Sequence, residues 1–406
     1  MKLLVYKIPG LRAFLEIEYK EVKASTEGPL SFLAKQICER FNNYFSGPPA
    51  AILEDGAFVS TVFPLVPSEP FRRLMTAQLK SNLFGKFTPE CVAIMVTSRC
   101  QCKCKHCIAY GITGKEELST DEICDFIDRS LELGAYHISF EGGEPTLRDD
   151  LPELIYHIDK SKAISRVVTN GLLLTEEYVQ MLKRAGLDVL TVSLDSPYPE
   201  IHDRFRGVPG LFEKVTEGIK HAVKAGLIVC VLYVASPQNS DLETMNNLLE
   251  YCDSLGVHEL LIDEIFAGGK WSGKDILSDS DRERLINLAR TQEKNICLTS
   301  FFHLRNPELF GCFAGRRWVF VSPTGDVMPC MHTPVSFGNI RETDLKDIWV
   351  RIRRNKLFRK KPKICAINDP YFKENYLKKI PKDADLPYSI EDVEKIKKIE
   401  KLEKLD

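Results

Sequence analysis

Between Cys91 and Asp263 six short, apolar, β-branched runs alternate with amphipathic helical stretches, and this alternation constrains the fold more than any other feature of the chain. The runs are Cys91 to Thr97 (CVAIMVT), Tyr136 to Phe140 (YHISF), Ser165 to Thr169 (SRVVT), Asp188 to Leu194 (DVLTVSL), Leu227 to Ala235 (LIVCVLYVA) and Glu259 to Asp263 (ELLID). Short apolar runs closed by polar turns read as buried strands. Strands alternating with helices build parallel βαβ units with right-handed crossovers. The expected fold is therefore α/β, a partial (β/α)6 TIM-like barrel, with a small α+β module before it and a β-hairpin and helix region after it. Ligands of such barrels sit at the C-terminal strand ends. Here those ends carry Thr169-Asn170-Gly171 and Ser193-Leu194-Asp195-Ser196.

The first strand runs into Cys100-Gln-Cys102-Lys-Cys104-Lys-His106-Cys107. The gaps between Cys100, Cys104 and Cys107 are short enough for one loop to wrap three thiolates around an iron-sulfur cube. Three ligands leave one iron open for a chelating cofactor. Zinc is the alternative for Cys and His so close together, although structural zinc sites usually draw ligands from two knuckles, and no second Cys-x-x-Cys occurs elsewhere. The second strand ends in Glu141-Gly142-Gly143-Glu144-Pro145. Its two glycines let the backbone come close to a ligand and leave main-chain polar groups bare, a setting for an amino group.

Together these motifs resemble the radical S-adenosylmethionine (SAM) superfamily. The three-cysteine spacing matches its cluster motif, His106 stands at a position that is usually aromatic, and Gly142 to Pro145 match its Gly-Gly-Glu-Pro turn residue for residue. The resemblance implies metal ligands Cys100, Cys104 and Cys107, and SAM contacts from His106, Gly142, Gly143, Glu144, Pro145, Asn170, Ser193 and Asp195. The segment His202-Asp203-Arg204-Phe205-Arg206-Gly207, followed by Gly210-Leu211-Phe212, is similar to a loop of the subgroup with C-terminal SPASM or Twitch extensions. Arg206 is its candidate partner for the methionine carboxylate, and Arg204 the second choice.

Farther on, Cys312 precedes Arg317 to Ser322 (RWVFVS), a Pro-x-Gly-Asp turn and Cys330, a hairpin with a cysteine at each end. With Phe337-Gly338-Asn339-Ile340, Leu345 and Ile348-Trp349, it resembles the start of a SPASM or Twitch domain. Such domains carry an auxiliary [4Fe-4S] cluster, for which Cys312, Cys330 and Cys365 are the candidate ligands. The fourth is then another residue, a substrate atom or water; His332, which reads equally as a plain turn histidine, is the candidate residue. The chain departs from a full SPASM domain in having no cysteine after Cys365, so one auxiliary cluster at most is expected.

The implied domains are 1–88, an α+β module and linker covering the barrel; 89–300, the barrel; 301–380, the auxiliary-cluster region; and 381–406, a charged helix. At the N-terminus, Leu3 to Ile8 and Phe14 to Tyr19 alternate as an edge hairpin, and Leu30 to Tyr44 reads as a helix. The proline-dotted run from Val62 to Pro70 reads as a linker, and Phe71 to Phe84 as a basic amphipathic helix. At the other end, Val393, Ile396, Ile399, Leu402 and Leu405 form one apolar helical stripe.

A net charge of −2 gives no reason to expect a nucleic-acid partner. No apolar run approaches a membrane span. Seven of the thirteen cysteines fall at two cofactor-like places, which argues for a reducing cytoplasm. The resemblance implies an enzyme that reductively cleaves SAM to a 5′-deoxyadenosyl radical, using an external donor of flavodoxin or ferredoxin type. That radical abstracts hydrogen from a small-molecule cofactor precursor or a peptide, with an oxidative outcome. The alternatives are a peptide- or protein-modifying maturase and a zinc-stabilised interaction module without catalysis.

Overall fold

The computed structural model describes residues 1–402 apart from 19–20, 46, 115 and 360–363. The chain opens with β1 (Lys2–Ile8), β2 (Leu11–Glu18), β3 (Glu21–Glu27), α1 (Phe32–Tyr44), β4 (Ala51–Leu53), β5 (Gly56–Phe58) and α2 (Glu69–Phe84). The barrel follows as β6 (Cys91–Met95), α3 (Thr120–Leu133), β7 (His137–Glu141), α4 (Leu151–His157), β8 (Ile164–Thr169), α5 (Glu176–Arg184), β9 (Val189–Ser193), α6 (Pro199–Arg206), α7 (Leu211–Lys224), β10 (Ile228–Ala235), α8 (Leu242–Ser254), β11 (Glu259–Glu264), α9 (Asp279–Thr291) and β12 (Cys297–Ser300). The remainder is α10 (Phe301–Leu304), β13 (Trp318–Val321), β14 (Val327–Met328), β15 (Val335–Ser336), α11 (Leu345–Arg354), α12 (Lys356–Arg359), α13 (Pro370–Asn375), β16 (Tyr388–Ser389) and α14 (Ile390–Leu402).

Strands β6 to β11 pair in parallel and in chain order, as the alternation predicts, because each intervening helix returns the chain across the outer face. Helix boundaries follow local chemistry. At α3, for example, Ser119 and Glu122 form a reciprocal capping box, and Gly134 ends the helix in the left-handed region at φ 110°. The structure adds a seventh strand, β12, which pairs in parallel with β11. It also joins the C-terminal hairpin to the barrel: β13 pairs in parallel with β6, and β14 folds back antiparallel on β13. The nine-stranded sheet thus runs β12-β11-β10-β9-β8-β7-β6-β13-β14.

The N-terminal hairpin forms from β1 and β2, with Tyr19 of the expected second strand outside the described residues, and β3 extends it to three strands. Asn42 of α1 accepts from the Ala24 N–H at 2.7 Å and donates to its C=O at 3.0 Å, so its amide occupies part of the β3 edge. The run read as a linker is packed, with Val62 and Val66 buried and Val66 exchanging backbone hydrogen bonds with Ala57. The strap it forms with the two residues before it is tied to the barrel: Ser60 Oγ donates to Glu259 Oε1 at 2.7 Å, and the Thr61 N–H to Glu259 Oε2 at 2.6 Å. Glu259 opens β11, so the strap lies across the N-terminal ends of the barrel strands. Tyr44 of α1 reaches over to β12, donating to the Ser300 C=O at 3.2 Å. The N-terminal module therefore floors the barrel. On α14 the expected stripe has Val393 buried and Ile399 exposed, while Leu405 lies outside the described residues.

Candidate active site

The barrel mouth holds a cavity of about 400 Å³ lined by Cys100, Cys104, Cys107, His106, Gly142, Gly143, Glu144, Asn170, Ser193 and Arg206. The residues predicted for the first cluster and for SAM thus come together, apart from Pro145, Asp195 and the second-choice Arg204. Pro145 and Asp195 are buried behind the wall, where Asp195 pairs with Arg206. Arg204 is exposed on the outer side of its helix.

The two glycines seat the turn against the cysteine loop. A Cβ on Gly143 would meet the Arg99 C=O at 2.2 Å, and one on Gly142, with φ 145°, would meet the Thr97 C=O at 2.6 Å. The close approach lets the Gly143 N–H donate to the Thr97 C=O at 2.8 Å and the Glu144 N–H to the Arg99 C=O at 2.8 Å. Glu144 is 1 % exposed and accepts four hydrogen bonds: from the Thr146 N–H at 3.1 Å, Thr146 Oγ1 at 2.7 Å, Thr169 Oγ1 at 2.6 Å and the Asn170 N–H at 2.7 Å. Burial pushes its carboxyl up, and those four donors oppose the shift. Glu144 therefore ties the turn after β7 to the end of β8.

Asp195 is the counterion of Arg206, whose Nε donates to Asp195 Oδ2 at 2.5 Å. Burial would raise the Asp195 carboxyl, but the Arg206 guanidinium overrides it and holds the carboxyl below its ordinary range. The Val234 N–H at 3.1 Å occupies the other carboxylate oxygen. Arg206 then extends Nη1 to within 3.8 Å of Cys104 Sγ. His106 stacks on Phe205 with centroids 4.5 Å apart and planes 10° from parallel, and burial brings its imidazole down to about 4. Residues the sequence reading missed also hold the loop. Glu117 accepts from the Ser98 N–H at 2.7 Å, and Gly269, after β11, packs so tightly that a Cβ would meet the Cys107 C=O at 2.2 Å.

The second thiol set lies to one side of the barrel interior. Cys312 and Cys365 lie within hydrogen-bonding reach of one another, Cys330 is close by, and the positive charge of Arg305 favours the thiolate form at all three. Arg305 is itself paired with Asp263 at 2.5 Å. His332 donates its backbone N–H to Cys330 Sγ, while its ring packs on Phe266 at 3.9 Å with Nδ1 lacking a partner. Asp263 and Arg305 carried no signal in the sequence beyond a carboxylate at a strand end.

Both sets suit iron-sulfur ligation. At Cys100, Cys107, Cys312 and Cys330 the backbone N–H two residues on donates to the sulfur, a bond that stabilises a thiolate ligand. A hydrogen bond from the Cys102 thiol, opposed by burial and aided by Arg206, brings the Cys104 thiol below its ordinary range. Cys100, Cys104 and Cys107 line a cavity wide enough for a group larger than one ion, and Cys330 lines the deeper one.

A model of the radical SAM superfamily matches residues 94–252, and one of an iron-sulfur cluster-binding domain, SPASM, matches residues 312–368. The chain is 31% identical over 288 residues to the AdoMet-dependent heme synthase of Methanosarcina barkeri, covering 64% of this chain and 82% of that protein. It is 30% identical over 277 residues to the PqqA peptide cyclase of Granulibacter bethesdensis, covering 63% and 72%. Streptococcus suis SuiB bound to precursor peptide SuiA shares the fold, with a TM-score of 0.57 at 17% identity over 71% of this chain and 69% of that one. Motif, barrel and relatives agree: this chain belongs to the radical SAM superfamily and carries a short SPASM-type domain after its barrel.

Proposed function

We propose that this enzyme oxidises a small-molecule cofactor precursor held in the barrel between its two thiol sets. The observation that carries the reading is a pair of interior cavities that share a wall. The mouth cavity, walled by Cys100, Cys104 and Cys107, shares Glu141, Val168, Leu232, Asp263, Met331 and His332 with a deeper chamber, which Cys330 also lines. When bound, a cluster and SAM at the mouth supply a 5′-deoxyadenosyl radical for hydrogen abstraction, and a second cluster beside Cys330 supplies an electron acceptor.

On this reading Cys100, Cys104 and Cys107 ligate the first cluster, and Cys312, Cys330 and Cys365 the second. Gly142 and Gly143 offer backbone to the SAM amine, Arg206 its charge to the carboxylate, and Asn170, Ser193 and His106 complete the wall. Glu144, Pro145 and Asp195 position these groups. The functional units run 1–88, 89–300, 301–380 and 381–406. Kinship with heme synthases supports a cofactor precursor; kinship with a peptide cyclase supports a peptide as the second reading. No helix among the described residues is long and apolar enough to cross a membrane, and thirteen unpaired thiols support a reducing compartment such as the cytoplasm.

Anaerobic reconstitution followed by iron analysis tests the two-cluster reading. About eight irons per chain are expected, falling to about four in a Cys312→Ala/Cys330→Ala double variant that still releases 5′-deoxyadenosine. Four irons in both proteins would remove the second cluster from the proposal.

The electron reaches the first site from outside. Arg99, Lys103 and Lys105 are exposed around the cysteine loop, a basic rim that suits an acidic one-electron protein donor of flavodoxin or ferredoxin type. Lys103→Glu/Lys105→Glu should slow deoxyadenosine release about tenfold with such a donor and leave the dithionite-driven rate unchanged. An equal slowing with both reductants would place those lysines elsewhere in the reaction.

A further inference from the structure

Below the mouth, the chamber between β6, β7, β8 and β13 measures about 180 Å³, less than the roughly 300–1,000 Å³ of pockets that enclose a whole drug-sized ligand. It admits a side arm. The arginines in and around it are paired with carboxylates, with one exception. Glu90 meets Arg317 and accepts from Tyr136 Oη at 2.8 Å and Gln78 Nε2 at 2.9 Å. Asp263 holds Arg305, and Glu141 accepts from Ser139 Oγ at 2.8 Å.

Arg166 is the exception. It is 5 % exposed, lines the chamber, and donates from Nε to Thr191 Oγ1 at 2.7 Å. Among the described residues no carboxylate is ion-paired with it, and its two terminal nitrogens, which have no hydrogen-bond partner, are not sealed in protein either. They reach chamber space. A guanidinium in so apolar a setting needs an anion. Glu141 lies in its field, but it accepts from Ser139 Oγ and makes no ion pair with Arg166. On the same floor, His137 is pinned to the Val62 backbone and leaves Nε2 without a partner.

We propose that Arg166 receives the carboxylate at the tip of a substrate arm inserted through the mouth into this chamber. The inference rests on the reading that substrate occupies the barrel interior, and it names the substrate class. With Nε committed to Thr191, the free pair of nitrogens presents the end-on fork that matches a carboxylate bidentately. Phe63, Phe310, Phe313 and Phe320 offer apolar wall for a hydrocarbon stem. One guanidinium balances a carboxylate; a phosphate dianion would remain under-neutralised there. Because the carboxylate anchors at the floor, the carbons of the stem lie toward the ring of Glu141, Val168 and Leu232 shared with the mouth.

The arm can belong to a small acid or to a peptide, and matched probes separate them. Iron coproporphyrin III is compared with its tetramethyl ester, and a blocked Ala-Ala-Glu-Ala-Ala peptide with its Gln twin. Binding is measured by equilibrium dialysis without oxygen, on cluster-loaded enzyme with SAM present. One acid should bind about tenfold to a hundredfold more tightly than its neutral twin. Arg166→Gln should erase that difference and Arg166→Lys keep part of it, with iron content and circular dichroism confirming that both variants are folded. Acid and twin retained equally by the wild type, or not at all, overturns the proposal, as does discrimination that survives Arg166→Gln. Deoxyadenosine release is assayed separately, so a failed functional reading is distinguishable from a failed carboxylate site.

Discussion

A Cys104→Ala chain is expected to lose the iron of its first site and to release no 5′-deoxyadenosine from SAM. Cys104 is the middle ligand of the proposed trio and the sulfur toward which Arg206 Nη1 points at 3.8 Å. Two thiolates cannot hold a cube that depends on three protein ligands. The substitution also strips Arg206 of one neighbour while its buried bond to Asp195 remains, so the loop loses a metal ligand without losing its anchor. Circular dichroism should therefore stay close to wild type while iron falls by about four per chain. Cys102→Ala is the control, expected to keep that iron, because Cys102 lies off the ligand spacing. If Cys104→Ala retained full iron and Cys102→Ala lost it, the ligand assignment within the loop would be exchanged.

The second large effect is expected at Glu144. Alanine there leaves four donors facing an empty space. The Thr146 and Thr169 hydroxyls can rotate to new acceptors, but the Thr146 and Asn170 N–H groups are fixed by the backbone. At about 1–3 kcal/mol for each buried donor left unsatisfied, the variant should lose about 2–6 kcal/mol of stability. A urea titration would show it as a midpoint shift at unchanged slope. SAM affinity should fall with it, since Asn170 and the glycine turn lose their common tie. Glu144→Gln keeps the volume but turns an NH₂ toward donors, and should recover only part of the loss. A Glu144→Ala midpoint equal to wild type would mean that the turn is held by its glycine contacts alone.

Most of the site was legible because its chemistry is local. The cysteine gaps, the glycine pair and the six apolar runs are each written within a few residues, and the structure assembles them as those patterns imply. What escaped depends on distant partners. Strand β12 has four residues, too short for an alternation to show. Strand β13 was visible as half of a hairpin, but nothing local in Trp318 to Val321 says that it will pair with Cys91 to Ile94. Val62 to Pro70 looked like a linker because of its prolines, while the anchor of the strap sits just before it, in Ser60 and Thr61, whose partner Glu259 lies far along the chain. Arg166 left a faint mark, the one charged residue in a buried strand, and it lines the inner chamber. Such a residue is a place to look, since burying it without a counterion is expensive.

The ladder between β6 and β13 makes the barrel and its C-terminal extension inseparable by a cut. During synthesis β6 emerges early and keeps one bare edge until Trp318 to Val321 leave the ribosome. That edge leads straight into the cysteine loop. A chain truncated before Trp318 would present it to other chains, an invitation to edge-to-edge aggregation. Grafting this barrel onto a different C-terminal extension would meet the same obstacle unless the graft brought a strand in the register of Trp318 against Cys91.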